Sequence, residues 1–140
     1  MEQLSHLPHW FHWPCHFISN SIFSLTFSAP SSPRGLQVVE KNSTSMKVSW
    51  ELPTENRECV HHYRICYEPL NLFNLGGRNI PERCIETQNT SIVITDLEPC
   101  ATYRIKVNAV TALGSYSIDS IEEAFTEFES MYPLHFRVFV

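Results

Sequence analysis

Residues 97–109 read Leu-Glu-Pro-Cys-Ala-Thr-Tyr-Arg-Ile-Lys-Val-Asn-Ala, and they combine a proline turn with an alternating strand that opens at Tyr103. This pattern is typical of a tyrosine corner in a Greek-key sandwich. The ring packs in the core where the chain crosses between sheets, and the hydroxyl bonds a backbone group a few residues upstream. The segment therefore predicts a β-sandwich, an architecture that binds partners far more often than it catalyses reactions.

Alternation of apolar and polar side chains with a period of two continues on both sides of this corner. It predicts strands over 46–50, 63–67, 91–95 and 103–109, a short edge strand at Leu36 and Val38, and further strands near 83–87 and over 118–126. Seven short strands without helical periodicity predict an all-β, seven-stranded antiparallel sandwich of the immunoglobulin-like kind. We expect these residues to mark its core: Trp50, Tyr63, Ile65, Tyr67, Leu97, Tyr103, Val107 and Ala109.

The chain has 140 residues, which suits one domain of about 100 residues with tails. Composition predicts a largely unstructured segment over 1–32, a domain over 33–127 and a tail over 128–140. Two interpretations of the first segment stay open. The apolar run 17–27 resembles a secretory leader, but no Lys or Arg precedes it, so a non-native extension is the rival.

Charge and composition exclude several classes of protein. The formal net charge is −5 and Lys and Arg form no cluster, which argues against a nucleic-acid partner. No apolar run approaches the roughly 20 residues of a membrane span. A nucleophile elbow, a phosphate-binding loop and a paired-acid motif are all missing, so we expect no enzyme activity and no cofactor.

The leading segment contains His6, His9, His12, Cys15 and His16, which suggests a metal site as an alternative. Prolines interrupt any helix there, and the spacings match no tetrahedral ligand set. We therefore expect no metal.

The segment 33–126 resembles a fibronectin type III domain. The resemblance lies in Pro33 with Gly35-Leu36, Trp50 with Pro53, the strand 63–67, the corner 97–103 with Val107 and Ala109, and the turn 114–117. It implies a noncatalytic extracellular or cell-surface module that binds proteins and often occurs in tandem. Residues 111–116 lack the Arg-Gly-Asp tripeptide by which some members of the family bind integrins, so that route is not supported.

Five cysteines indicate an oxidising compartment, and four of them lie within the domain, which permits three pairings. Cys59 and Cys66 lie seven residues apart on one predicted strand, roughly 23 Å, whereas a disulfide needs a Cα separation under about 7 Å. Cys59 and Cys100 are expected at opposite ends of the sandwich. This elimination leaves Cys59–Cys84 and Cys66–Cys100 as the expected disulfides, with Cys15 unpaired. The alternative is that all four are reduced.

Two N-glycosylation sequons, at Asn42 and Asn89, lie in predicted loops where a glycan would be solvated.

The function expected from these features is a noncatalytic extracellular binding and spacer module of an adhesion, matrix or cell-surface protein, whose protein ligand the sequence does not identify. One alternative is an ectodomain fragment of a receptor tyrosine phosphatase or kinase, and another is an intracellular scaffold domain. The candidate binding surfaces are the loops 54–58 and 111–116, and a sheet face carrying His62, Arg64, Arg104, Lys106 and Asn108.

Overall fold

The computed structural model describes residues 16–18, 25–27, 29–70 and 80–127. Two short strands, β1 (His16–Ile18) and β2 (Leu25–Phe27), pair with each other in antiparallel fashion within the leading segment, where the sequence predicts little regular structure. The remaining strands are β3 (Arg34–Lys41), β4 (Met46–Glu51), β5 (Val60–Pro69), β6 (Arg83–Thr87), β7 (Ser91–Ile94), β8 (Thr102–Thr111) and β9 (Ser120–Phe125). The division of the chain at 32 and 127 stays a prediction.

The strands β3 to β9 form two antiparallel sheets. One has the order β3-β4-β7 and the other the order β6-β5-β8-β9. The all-β, seven-stranded sandwich predicted from the alternation is confirmed, because each strand has one apolar face and the two sheets bury these faces against each other.

The core lies between the sheets and contains all eight residues that the alternation marked as inward. Trp50 of one sheet meets Tyr63 of the other edge to face, with ring centroids 5.4 Å apart. The rings of Tyr67 and Tyr103 lie 6.4 Å apart near the other end. Such aromatic contacts fix the relative position of the sheets as well as burying apolar area.

The tyrosine corner closes the end of the sandwich that contains the turn 96–101. The Tyr103 hydroxyl accepts a hydrogen bond from the Glu98 backbone N–H at 2.9 Å. The turn also needs Cys100 in the left-handed region, with φ of 57°.

Thr126, the residue after β9, also stabilises this corner. It is fully buried, and its hydroxyl accepts from the Ala101 N–H at 2.9 Å and donates to the Glu98 carbonyl at 2.8 Å. The alternation of apolar and polar residues did not identify Thr126, because Thr126 stabilises the fold through hydrogen bonds to a turn that is distant in the sequence.

The turns and loops that connect the strands lie at the two ends of the sandwich. We call the end formed by residues 52–59, 88–90 and 112–116 the loop pole, and the end formed by residues 42–45, 96–101 and 126–127 the corner pole. Strand β3 begins near the loop pole and ends near the corner pole, since Arg34 pairs with Glu51 and Lys41 pairs with Met46.

Candidate functional site

The first candidate surface is the outer face of the four-stranded sheet. Adjacent strands β5 and β8 place Arg64 opposite Asn108 and Glu68 opposite Arg104. Because successive side chains alternate between faces, the residues between these pairs enter the core and the cationic side chains point outward.

These cations are compensated within the face itself. Arg104 bonds Glu123 at 3.1 Å and lies 3.6 Å from Glu68. Lys106 bonds Glu82 at 2.8 Å. The hydrogen bond to Glu82 raises the pKa of Lys106 above its ordinary value, partial burial opposes the rise, and the negative charges of Glu82 and Glu68 add to it.

Two further polar residues of the face also have partners. Arg64 donates to the Tyr116 hydroxyl at 3.1 Å, and its guanidinium carbon lies 5.6 Å from the centre of the Tyr116 ring. The Nε2 atom of His62 lies 3.7 Å from a carboxylate oxygen of Glu86. Since each cation already meets an anion or an aromatic ring, this face offers little uncompensated positive charge to an acidic partner.

Asn108, the fifth residue of the predicted face, is buried rather than displayed. Its Nδ2 donates to the Ser117 carbonyl at 3.0 Å and to the Asp119 carboxylate. Ser117 in turn accepts from the Ala109 N–H at 2.9 Å. Asn108 thus fastens the segment that leads to β9 and is not part of a binding surface.

The disulfide prediction is wrong. Cys66 is bonded to Cys84, with a Cα separation of 4.1 Å, because the two residues lie directly opposite each other on β5 and β6. Since each sulfur forms one disulfide, neither Cys59–Cys84 nor Cys66–Cys100 can form alongside it. The elimination assumed that all four domain cysteines pair with one another. Under that assumption Cys66–Cys84 requires a Cys59–Cys100 bond, and it was rejected together with that bond.

The loop pole is the second candidate surface, and its first loop is held rigidly. The Ser31 hydroxyl accepts from the backbone N–H groups of Thr54 and Glu55, each at 3.1 Å. Asn56 has a φ of 51° and donates from its side chain to the Ala29 carbonyl at 3.1 Å. The loop 52–59 is therefore fastened to the chain that enters the domain.

The other loop of this pole forms a compact turn. Gly114 donates to the Thr111 carbonyl at 3.0 Å, and Ser115 accepts from the Thr111 N–H at 3.0 Å. Gly114 has a φ of 81°, which favours glycine. Leu113 at the tip is 61% exposed, and Leu52 in the neighbouring loop is 49% exposed. The loop pole thus displays apolar side chains on rigid loops.

Two further properties of the described residues are their capacity to bind a metal ion and to span a membrane with a helix. Within the described part of the chain, one group has the spacing of metal ligands, and it consists of Cys66, Glu82 and Cys84. Its two sulfurs are joined in the disulfide and are not available as thiolates. Among the described helical segments, none is long and apolar enough to cross a membrane.

Comparison with known proteins identifies the class of domain. The model of the family described as "Fibronectin type III domain" matches residues 31–122, and the chain belongs to this family. The solved fn3 domain of the human collagen alpha-1(XX) chain is 26% identical, with a TM-score of 0.58, and the match covers 77% of this chain and 95% of that one.

Curated relatives are much longer proteins. Tenascin-R of Homo sapiens is 34% identical over 105 residues, which cover 75% of this chain and 7% of the relative. The putative receptor-type tyrosine-protein phosphatase mosPTP-1 of Culex quinquefasciatus is 33% identical over 91 residues, which cover 61% of this chain and 6% of the relative. The relatives are adhesion proteins and receptors of the cell surface, and this chain is a module of that general kind.

Proposed function

We propose that this chain is a noncatalytic, extracellular module that binds a protein partner and spaces neighbouring domains in an adhesion, matrix or cell-surface protein. The observation that carries the proposal is that the chain enters and leaves the sandwich at opposite poles. A module of this shape extends a row of domains instead of folding it back.

The spacing role depends on the anchoring of both ends. At the loop pole, the Ser31 N–H donates to the Glu55 carbonyl at 3.2 Å. At the corner pole, the Glu127 N–H donates to the Asn42 carbonyl at 3.1 Å. Strand β3 connects the two poles with eight residues, or about 26 Å at about 3.3 Å per residue. Fastened ends transmit the orientation of one domain to the next.

The binding role belongs to the loop pole. Its exposed apolar residues, Leu52 and Leu113, stand on loops whose backbone hydrogen bonds fix them before a partner arrives. Pre-ordered loops lose little conformational entropy on association, which favours affinity. The outer face of the four-stranded sheet also exposes Ile121, at 55%, but the cations beside it are already paired with acids or with the Tyr116 ring.

Receptor ectodomains are a second setting for the same module, since a receptor-type phosphatase is among the relatives. The intracellular scaffold alternative is disfavoured by the Cys66–Cys84 disulfide, because cytosolic thiols are kept reduced.

The test is a binding assay with the full chain as a multivalent secreted fusion, applied to a panel of cells that each display one extracellular protein. The loop-pole variant combines Leu52→Asp with Leu113→Asp. The matched control is Val93→Asp on β7, where the side chain is 51% exposed and lies away from this pole. Flow cytometry measures the bound fusion, and circular dichroism confirms that both variants are folded.

We expect the loop-pole variant to lose at least about tenfold in binding while the control is unchanged, because a buried charge in an interface core is costly. Equal loss in both variants would place the surface elsewhere. A chain that binds no member of a broad panel would contradict the binding role.

A further inference from the structure

We propose that Asn42 and Asn89 are N-glycosylation sites, each taking one oligosaccharide on its side-chain nitrogen. The acceptor motif requires Ser or Thr two residues after the asparagine, and it is present at both positions. The proposal rests on the extracellular placement proposed above, because the glycan donor is met in the secretory pathway.

The described asparagines divide into two kinds by the use of their side-chain nitrogen. Asn56 and Asn108 lie outside sequons, and each donates from Nδ2 to a backbone carbonyl, at 3.1 Å and 3.0 Å. Asn42 and Asn89 lie in sequons, are exposed, and make no Nδ2 hydrogen bond within the described residues. The part of the fold that the structure describes therefore leaves the reactive nitrogen unbonded at both sequons.

Asn42 is compatible with a glycan even though its side chain stabilises the β3–β4 turn. Its Oδ1 accepts from the backbone N–H groups of Thr44 and Ser45 at 2.9 and 2.8 Å. This Asx turn uses only the oxygen. Because glycosylation substitutes the nitrogen and retains the carbonyl oxygen, the turn can persist beneath the sugar.

Asn89 lies at the loop pole, in the turn that connects β6 of the four-stranded sheet to β7 of the three-stranded sheet. Its backbone N–H donates to the Thr87 hydroxyl at 3.1 Å, and the next residue, Thr90, accepts from the Trp50 N–H at 3.0 Å. The backbone of this turn is thus fixed while the side chain is exposed. A glycan here lies at the loop pole, near the end of β4, whereas a glycan on Asn42 lies at the corner pole.

The transfer is balanced without a redox step. The donor is an oligosaccharide linked to a lipid diphosphate, whose sugar C1–oxygen bond breaks as a bond forms between C1 and Nδ2. The nitrogen gives up one proton, and the lipid diphosphate leaves with the bonding electron pair.

The experiment uses the full chain secreted from mammalian cells behind an added cleavable leader. Peptide N-glycosidase in heavy-oxygen water converts each glycosylated asparagine into labelled aspartate, which peptide mass spectrometry locates. Two variants remove a sequon without touching its asparagine, Thr44→Ala and Ser91→Ala. Their matched controls, Thr44→Ser and Ser91→Thr, keep both sequons.

We expect label on Asn42 and Asn89, loss of one label in each alanine variant, and no loss in the controls. If a variant is not secreted, translation with microsomes reports the same glycans as steps in gel mobility, independently of secretion. An unlabelled asparagine overturns the proposal for that site. Glycosylated chain that binds no partner would contradict the proposed function and leave this inference standing.

Discussion

Two tyrosines in the same core offer a direct test of the corner, because removal of the hydroxyl should destabilise the fold at Tyr103 and should not destabilise it at Tyr63. Tyr103 is 4% exposed and its hydroxyl accepts from the Glu98 N–H at 2.9 Å. Tyr63 is 2% exposed, and within the described residues its hydroxyl has no hydrogen-bond partner. The substitutions Tyr103→Phe and Tyr63→Phe delete the same atom and keep the ring.

The expected changes in the free energy of unfolding follow from the hydrogen-bond partners of the two hydroxyls. Tyr103→Phe removes a hydrogen bond of about 1 kcal/mol net and leaves the Glu98 N–H without its acceptor, so the loss should be about 1.5 kcal/mol. Tyr63→Phe removes a buried hydroxyl that has no partner among the described residues, and the free energy of unfolding should be unchanged or rise by up to about 1 kcal/mol. At about 4–8 °C per kcal/mol for a domain of this size, Tyr103→Phe should melt roughly 6–12 °C below the parent chain.

Denaturant unfolding followed by far-ultraviolet circular dichroism measures both variants against the parent chain. Trp50 fluorescence alone is unsuitable, because the indole ring contacts Tyr63 and would report a local change. The slope of the free energy against denaturant should be the same in all three chains, which shows that only stability has changed. Equal destabilisation by the two substitutions would refute the reasoning, since ring packing would then outweigh the hydroxyl partners.

Three other predictions concern Thr126, the disulfide and alkaline pH. Thr126→Val should lower the free energy of unfolding by about 2 kcal/mol in denaturant melts, because buried backbone groups lose their partner, and Thr126→Ser should restore most of it. Reductant should raise the mass of the peptides joined by Cys66–Cys84 by two hydrogens, and no change of mass would refute the bond. The double alanine variant should have a free energy of unfolding about 3 kcal/mol lower, since the bond closes a separation of 18 residues. Burial raises the pKa of Tyr63 and Tyr103 above the ordinary 10.0, so the unfolded chain ionises first. The stability they contribute is then present below about pH 10 and is lost as pH rises further; phenolate absorbance of these two residues should appear only together with unfolding by circular dichroism, and their ionisation in the folded chain would contradict the assignment.

The local sequence pattern was sufficient to predict the β-sandwich architecture. Tyr103 follows a proline turn and opens an alternating strand, Trp50 is the last inward residue of 46–50, and Tyr63 is the first inward residue of 63–67. Strand alternation depends only on neighbouring residues, so it can be read from the chain directly. The predicted strand 83–87 coincides with β6, and the predicted 118–126 contains β9.

The disulfide required knowledge of which residues lie opposite each other. Residues 70–82 separate β5 from β6, and the length of such a connection does not determine the register across it. The register Cys66 opposite Cys84 places the two sulfurs together. The same limit applies to Thr126, whose partners in the 96–101 turn lie about 25 residues away in the chain.

The choice of the proposed binding surface likewise depends on tertiary structure. The sequence by itself determined the sandwich, its core residues and the two sequons, because these depend on short patterns. Only the folded chain could show that Arg104 and Lys106 are paired with Glu123 and Glu82, and that Asn108 is buried. It also shows that the amide nitrogens of Asn42 and Asn89 have no hydrogen-bond partner among the residues that the structure describes. The physical reason is that charge compensation and hydrogen-bond partners are properties of distances across strands, which a linear pattern does not contain.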